Sequence, residues 1–157
     1  MKVGKGTFLP IIGVSWPHQI SIGNYCRLEN GISFKFDGIY KDGPNIIIEN
    51  NVFLGANVEF NIRKKISIGA DCLIGSNCKF IDHDHGFKLN ELIRSQGGTE
   101  QAIYIGKDVW LGSNVIVLKG VTIGDGAIIG ANSLVNKTIP ANEIWAGNPI
   151  KFIKKRQ

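Results

Sequence analysis

Hydrophobic positions along this chain recur every six residues. From Ile103 the sequence runs IYIGKD, VWLGSN, VIVLKG, VTIGDG, AIIGAN, SLVNKT. The third place of each hexad is a large aliphatic: Ile105, Leu111, Val117, Ile123, Ile129 and Val135. The first place is Ile103, Val109, Val115, Val121, Ala127 or Ser133. The same frame recurs upstream, with Ile20, Cys26, Ile32, then Ile46, Val52, Val58, then Ile66, Cys72, Cys78 in first place. Their third-place partners are Ile22, Leu28, Phe34, Ile48, Leu54, Phe60, Ile68, Ile74 and Phe80.

Alternation within a hexad points the first and third side chains the same way, as in a short strand. Gly commonly follows the third place, as at Gly55, Gly75, Gly112 and Gly130. A residue without Cβ there is expected to let the chain turn a corner, and the Asn and Asp residues that follow tolerate turn geometry. Three strands and three corners close a triangular coil of about 18 residues, and such coils stack at about 4.8 Å. One coil cannot bury its aliphatics alone, so neighbours on both sides are required. The pattern predicts an all-β fold, a parallel β-helix with its coils over about residues 20–140. Residues 1–19 read as an irregular start and possible partial coil, 38–45 as an interruption rich in turn residues, and 84–102 as a long loop insertion. After Pro140 the pattern stops, and 141–157 read as a cap over an otherwise aggregation-prone edge.

Composition narrows the class. The 157 residues suit a single domain, residues 1–157, and hold 25 Ile, 9 Val and 20 Gly with 20% charged residues. That mixture opposes disorder and helical bundles. No apolar run approaches the roughly 18 residues of a membrane span, and the first residues lack the apolar stretch of a secretory signal. A soluble, cytoplasmic protein is expected. Cys26, Cys72 and Cys78 all occupy first places, where small apolar side chains recur, and read as structural. Of the net charge of +5, much lies in the tail (Lys151, Lys154, Lys155, Arg156). No aromatic-interleaved basic stripe accompanies it, so no nucleic-acid partner is expected.

The block from Val109 to Ile153 resembles the carboxy-terminal half of the galactoside, maltose and surface-polysaccharide O-acetyltransferases. The segment Phe80-Ile81-Asp82-His83-Asp84-His85-Gly86-Phe87 resembles their catalytic segment. These are hexapeptide-repeat acyltransferases, and the resemblance implies a left-handed β-helix, acetyl-coenzyme A as acyl donor, and a homotrimer with active sites between subunits. Nothing before Ile20 could supply the helical region with which the galactoside and maltose enzymes begin. The resemblance is therefore nearest to short O-acetyltransferases of polysaccharide or lipopolysaccharide biosynthesis.

Acetyl transfer to a hydroxyl needs a base for the alcohol proton and donors for the tetrahedral oxyanion. The chain has three histidines, His18, His83 and His85. His18 lies in the irregular start and reads as a surface or packing residue. His83 and His85 stand where a coil opens into the long loop, and loops on rigid scaffolds favour function. Asp82 and Asp84 could orient an imidazole, and Asp82 could also meet the acceptor. Aligned without gaps from Ser67-Ile68-Gly69, His85 falls on the family's catalytic histidine, leaving His83 to orient the loop or touch the acceptor. Trp110, second in its hexad, should point outward, as should Ile116 and Ile128; by resemblance Trp110 and Asn57 line the acceptor site. Ser113 follows the Gly112 corner, where a backbone N–H is available. The resemblance places Ser113, Ala131, Asn136 and Lys137 along the coenzyme A groove, with Lys151 and Lys154 at its phosphates. No metal is expected, since the β-helical carbonic anhydrases that share this repeat use three histidines at another spacing. Transfer to an amino-sugar nitrogen and a non-catalytic scaffold are the rival readings.

Overall fold

The first and third places of every hexad from Ile20 to Val135 point inward, and each is at most 4% exposed. The computed structural model, which describes residues 1–37 and 41–157, winds them into three parallel sheets. The first face holds Ile20–Ile22, Ile46–Ile48, Ile66–Ile68, Ile103–Ile105 and Thr122–Ile123. The second holds Arg27–Leu28, Phe53–Leu54, Leu73–Ile74, Trp110–Leu111 and Ile128–Ile129. The third holds Ser33–Phe36, Glu59–Ile62, Lys79–Ile81, Ile116–Leu118 and Leu134–Val135. Register is kept from coil to coil, with Ile46 opposite Ile66 and Ile66 opposite Ile103. Down the core axis Phe34, Phe60 and Phe80 stack with ring centroids 4.8 and 5.1 Å apart. Full burial of each such ring contributes roughly 1.5–3 kcal/mol.

The corners correct one sequence expectation. The fourth-place glycines do not supply the unusual backbone. The left-handed residue is the sixth of the hexad, as at Asn51, Asn57, Asp71, Asn77, Asp108, Asn114 and Asn132 (φ between 54° and 65°). The glycines answer to stacking: a Cβ on Gly112 would lie 2.6 Å from the Ala131 nitrogen in the next coil. Asn ladders run along the second corner, from Asn57 to Asn77 (3.3 Å) and from Asn114 to Asn132 (3.1 Å).

The start forms the coil that the sequence suggested for residues 1–19, and the far end is more than a cap. Lys2–Val3 pairs with the first face, Phe8 bridges Arg27, and Gly13–Val14 pairs with the third face. The start is therefore a coil contacting all three sheets. It escaped the hexad search because an end coil packs on one neighbour only, and Val3 and Phe8 stay exposed. After Pro140 the coil continues for one more strand. Glu143–Ala146 extends the second face in parallel, and Lys151–Lys155 returns antiparallel to it. Arg156 fastens this hairpin to Asp108 at 2.7 Å. Of the 38–45 interruption, Gly38, Ile39 and Tyr40 lie outside the described residues; 41–45 lead into Ile46–Ile48. Among the described residues no helix is long and apolar enough to cross a membrane.

Candidate active site

The third corner, between third and first faces, carries the histidines. Ile81 ends its strand, and Asp82 turns inward with no exposed surface. Its Oδ1 accepts the Arg63 N–H at 2.8 Å, and its Oδ2 accepts those of Lys64 and Lys65 at 2.7 and 2.9 Å. His83 Nδ1 lies 3.1 Å from Asp82 Oδ1, and its side chain is only 7% exposed. Buried and fully occupied, Asp82 cannot meet an acceptor, contrary to the sequence expectation. It is a positioning residue that pins one coil to the next and holds an imidazole.

Asp84, unlike Asp82, is not an imidazole partner. It accepts from Lys119 and, through Oδ1, from the N–H and hydroxyl of Thr99 at 2.8 and 3.1 Å. The Lys119 ammonium beside it holds its carboxyl down at about 2. These contacts close the neck of the 84–102 insertion. The neck is a short antiparallel ladder in which His83 faces Glu100 and the Gln101 N–H donates to the Asp82 carbonyl. Sequence reasoning missed Lys119 and Thr99. The available signal was the hexad VIVLKG, where Leu118 and Lys119 replace the usual glycine corner directly opposite the loop. His85, one residue beyond the clamp, is exposed and makes no hydrogen bond or ion pair with the described residues. The loop tip carries Phe87, Leu89, Leu92 and Ile93, all more than 60% exposed. His18 contacts the Lys41 carbonyl at 3.2 Å.

The second corner, between second and third faces, carries the expected backbone donor. Ser76, Ser113 and Ala131 lie one above another along it. At comparable corner positions the N–H is capped by a carboxylate of the chain: Ala56 by Glu29, Ala70 by Glu49, Lys107 by Asp125. The N–H groups of Ser76, Ser113 and Ala131 have no acceptor among the described residues. Trp110 projects from the adjoining second face, 53% exposed, into a shallow cavity of about 150 Å³ with Leu73, Ile128 and Arg156. Ile116 and Ile128 are half-buried rather than fully outward. Asn57 also lies on this corner, its side chain engaged in the Asn ladder.

The expected donor-groove residues thus divide. Ser113 and Ala131 share the second corner, Asn136 and Lys137 follow Leu134–Val135 on the third, and Lys151 and Lys154 lie exposed on the terminal strand beside the second face. A whole face separates the histidine corner from the Ser113 corner within one chain. Cys26, Cys72 and Cys78 are buried, and burial pushes the Cys72 and Cys78 thiols up to about 11. Among the described residues no three His, Cys, Asp or Glu side chains group as metal ligands.

A triangular coil of hexads with an extruded loop is the architecture of a hexapeptide-repeat protein. The model for bacterial transferase hexapeptide (six repeats) matches residues 102–137, and that for the hexapeptide repeat of succinyl-transferase matches 45–62 and 65–89. The Escherichia coli K12 protein WbbJ, named as an O-acetyltransferase of lipopolysaccharide biosynthesis, is 35% identical over 148 residues, covering 83% of this chain and 76% of that one. An acetyltransferase of Staphylococcus aureus strain Mu50, so named, is 41% identical over 125 residues; the match takes 79% of this chain but 61% of that protein's length. Among solved structures, AntD, an N-acyltransferase from Bacillus cereus in complex with dTDP and 3-hydroxybutyryl-CoA, superposes with a TM-score of 0.85 at 22% identity, over 99% of this chain and 83% of that one. A hexapeptide-repeat acetyltransferase from Vibrio cholerae with acetyl-coenzyme A gives 0.66 at 24% identity, over 98% and 70%. The chain belongs to the hexapeptide-repeat acyltransferase family: it is an acyltransferase, and its coil is the left-handed β-helix.

Proposed function

We propose that the protein transfers an acetyl group from acetyl-coenzyme A to a sugar hydroxyl, at a site formed between subunits of a homotrimer. The observation that carries this reading is the run of backbone N–H groups at Ser76, Ser113 and Ala131 with no acceptor among the described residues, in a column where Ala56 is capped by Glu29. Fixed, exposed donors of this kind suit a developing oxyanion and the amide oxygens of an extended thioester ligand. The relation to WbbJ supports the oxygen acceptor and a surface-polysaccharide setting.

In this mechanism His85 Nε2 or Nδ1 accepts the acceptor hydroxyl proton as the alcohol oxygen attacks the acetyl carbonyl carbon. The carbonyl oxygen gains the negative charge and accepts from the Ser113 N–H. Collapse of the tetrahedral intermediate breaks the carbon–sulfur bond, and the imidazolium returns its proton to the leaving thiolate. His85 is free for this because Asp84, its neighbour, is tied to Lys119 and Thr99. Trp110 and Asn57 would border the acceptor, Ala131, Asn136 and Lys137 the pantetheine groove, and Lys151 and Lys154 the coenzyme phosphates, as point charges. The separation of the histidine corner from the Ser113 corner supports a site shared by two chains, with the exposed loop tip reaching the neighbour.

One observation favours a second assignment of the base: the 3.1 Å contact of His83 with buried Asp82 is the arrangement of an oriented general base. Thiol release with a panel of sugars and amino sugars separates the alternatives. His85→Ala is expected to lower kcat at least ~10²-fold with coenzyme binding retained, and His83→Ala to act more on acceptor KM. The reverse pattern exchanges the two roles, and preference for amino sugars changes the reaction to N-acetylation.

A further inference from the structure

Resting on that reading, we infer that the acceptor is an anionic sugar, phosphorylated or nucleotide-linked, and that Lys64 and Lys65 bind its charged group. The Asp82 carboxylate that holds His83 also receives the N–H groups of Arg63, Lys64 and Lys65. The main chain of this basic turn is thus wrapped on the carboxylate that holds the imidazole. Its side chains are left over. Arg63 reaches Asp37 at 3.2 Å, and its Nε is buried without a partner among the described residues. So is Asn61 Oδ1, on the strand that leads into the turn. The Lys64 and Lys65 ammonium groups have neither carboxylate nor other acceptor among the described residues.

Other carboxylates bonded at this corner are matched. Asp84 is held by Lys119, Asp37 by Arg63 and Lys35, and Glu100 by Lys41. Surplus cationic charge and orphaned polar atoms therefore lie on the side of the histidines away from the Lys151–Lys155 end. A ligand with several acceptor oxygens answers the unpaired Lys64 and Lys65 ammonium groups. Two ammonium groups one residue apart suit a phosphate or diphosphate, for which Lys serves as a point charge. A neutral glycoside would leave them unused.

The test is binding of uridine diphosphate, measured calorimetrically on the full chain at low salt with coenzyme A at saturation, so that the coenzyme site is filled. Lys64→Ala/Lys65→Ala keeps both backbone N–H donors to Asp82, and unchanged melting confirms an intact turn. The double variant should bind about tenfold more weakly with coenzyme affinity unchanged, and Lys64→Arg/Lys65→Arg should restore most of the loss. Thiol release with a methyl glycoside, its 1-phosphate and its nucleoside diphosphate derivative should show lower KM for one of the charged acceptors, lost in the alanine variant. Absence of binding by the wild type, or equal affinity of the wild type and the alanine variant, overturns the proposal. Binding without any acetyl transfer would instead overturn the catalytic reading and leave the anion site standing.

Discussion

Asp82 is bonded to four groups at once, three backbone N–H groups of the preceding coil and one imidazole. Its negative charge is stabilised by those donors, which lie at a partly buried turn. Asp82→Asn turns an NH₂ group toward at least one of them, so a donor faces a donor. Leaving buried donors unsatisfied costs roughly 1–3 kcal/mol apiece, and the substitution should lower unfolding free energy by about 3 kcal/mol in a urea titration. The same change releases His83 while leaving His85 outside the contact. A variant that keeps most of its kcat on the folded fraction supports His85 as the base; a fall in kcat comparable to that of His83→Ala assigns the proton to the Asp82–His83 pair. At this scale the sequence was informative about residue types and poor about partners. The DHDH run marked the site, but which carboxylate serves which cation depends on contacts 17 to 35 residues away.

The 84–102 insertion is joined to the coil by its neck, and the neck is closed by electrostatics. Lys119 and Thr99 converge on Asp84, and Gly98 fits there because a Cβ would run into the Asp84 carbonyl. The Asp84 carboxyl is lowered from 3.8 to about 2 by its hydrogen bonds from Lys119 and Thr99. A depressed folded-state value means that the clamp contributes fully above about 3.8 and is lost as pH falls toward about 2. Amide exchange over residues 84–102 should therefore be faster in Lys119→Met than in the wild type at pH 5, and the gap should close near pH 2. A gap independent of pH would remove Asp84 from the clamp. Strands and corners were legible in advance because the hexad fixes them locally: each first and third place is decided by burial alone. The clamp and the end coils were not. Lys119 looks like a defect in its own hexad until the loop is seen above it, and the first coil, packed on one side, need not repeat the aliphatic pattern.

The whole molecule is a column in which each coil contacts only its neighbours, and its candidate chemistry is placed on different corners. The histidine corner and the Ser113 corner are separated by the third face, whose strands Lys79–Ile81 and Ile116–Leu118 run between them. A loop with Phe87, Leu89, Leu92 and Ile93 exposed at its tip, and a second face with Leu73 and Trp110 exposed, are unfavourable surfaces for a solitary column. Three columns around a threefold axis would set one chain's histidine corner against the next chain's Ser113 corner, closing the ring with one kind of interface. This predicts complementation between two inactive variants. His85→Ala removes the base, and Ala131→Trp fills the donor groove on the other corner without touching the core. Each alone should form inactive trimers. When the two are unfolded together, mixed in equal amounts and refolded, random assortment gives about a quarter of the interfaces both an intact histidine and an intact groove. Activity should recover to about a quarter of the wild-type level, and simple mixing of folded trimers should give none until subunits exchange. Light scattering on the same samples checks that trimers are present. Zero recovery from co-refolded mixed trimers would mean that both corners belong to a site within one chain.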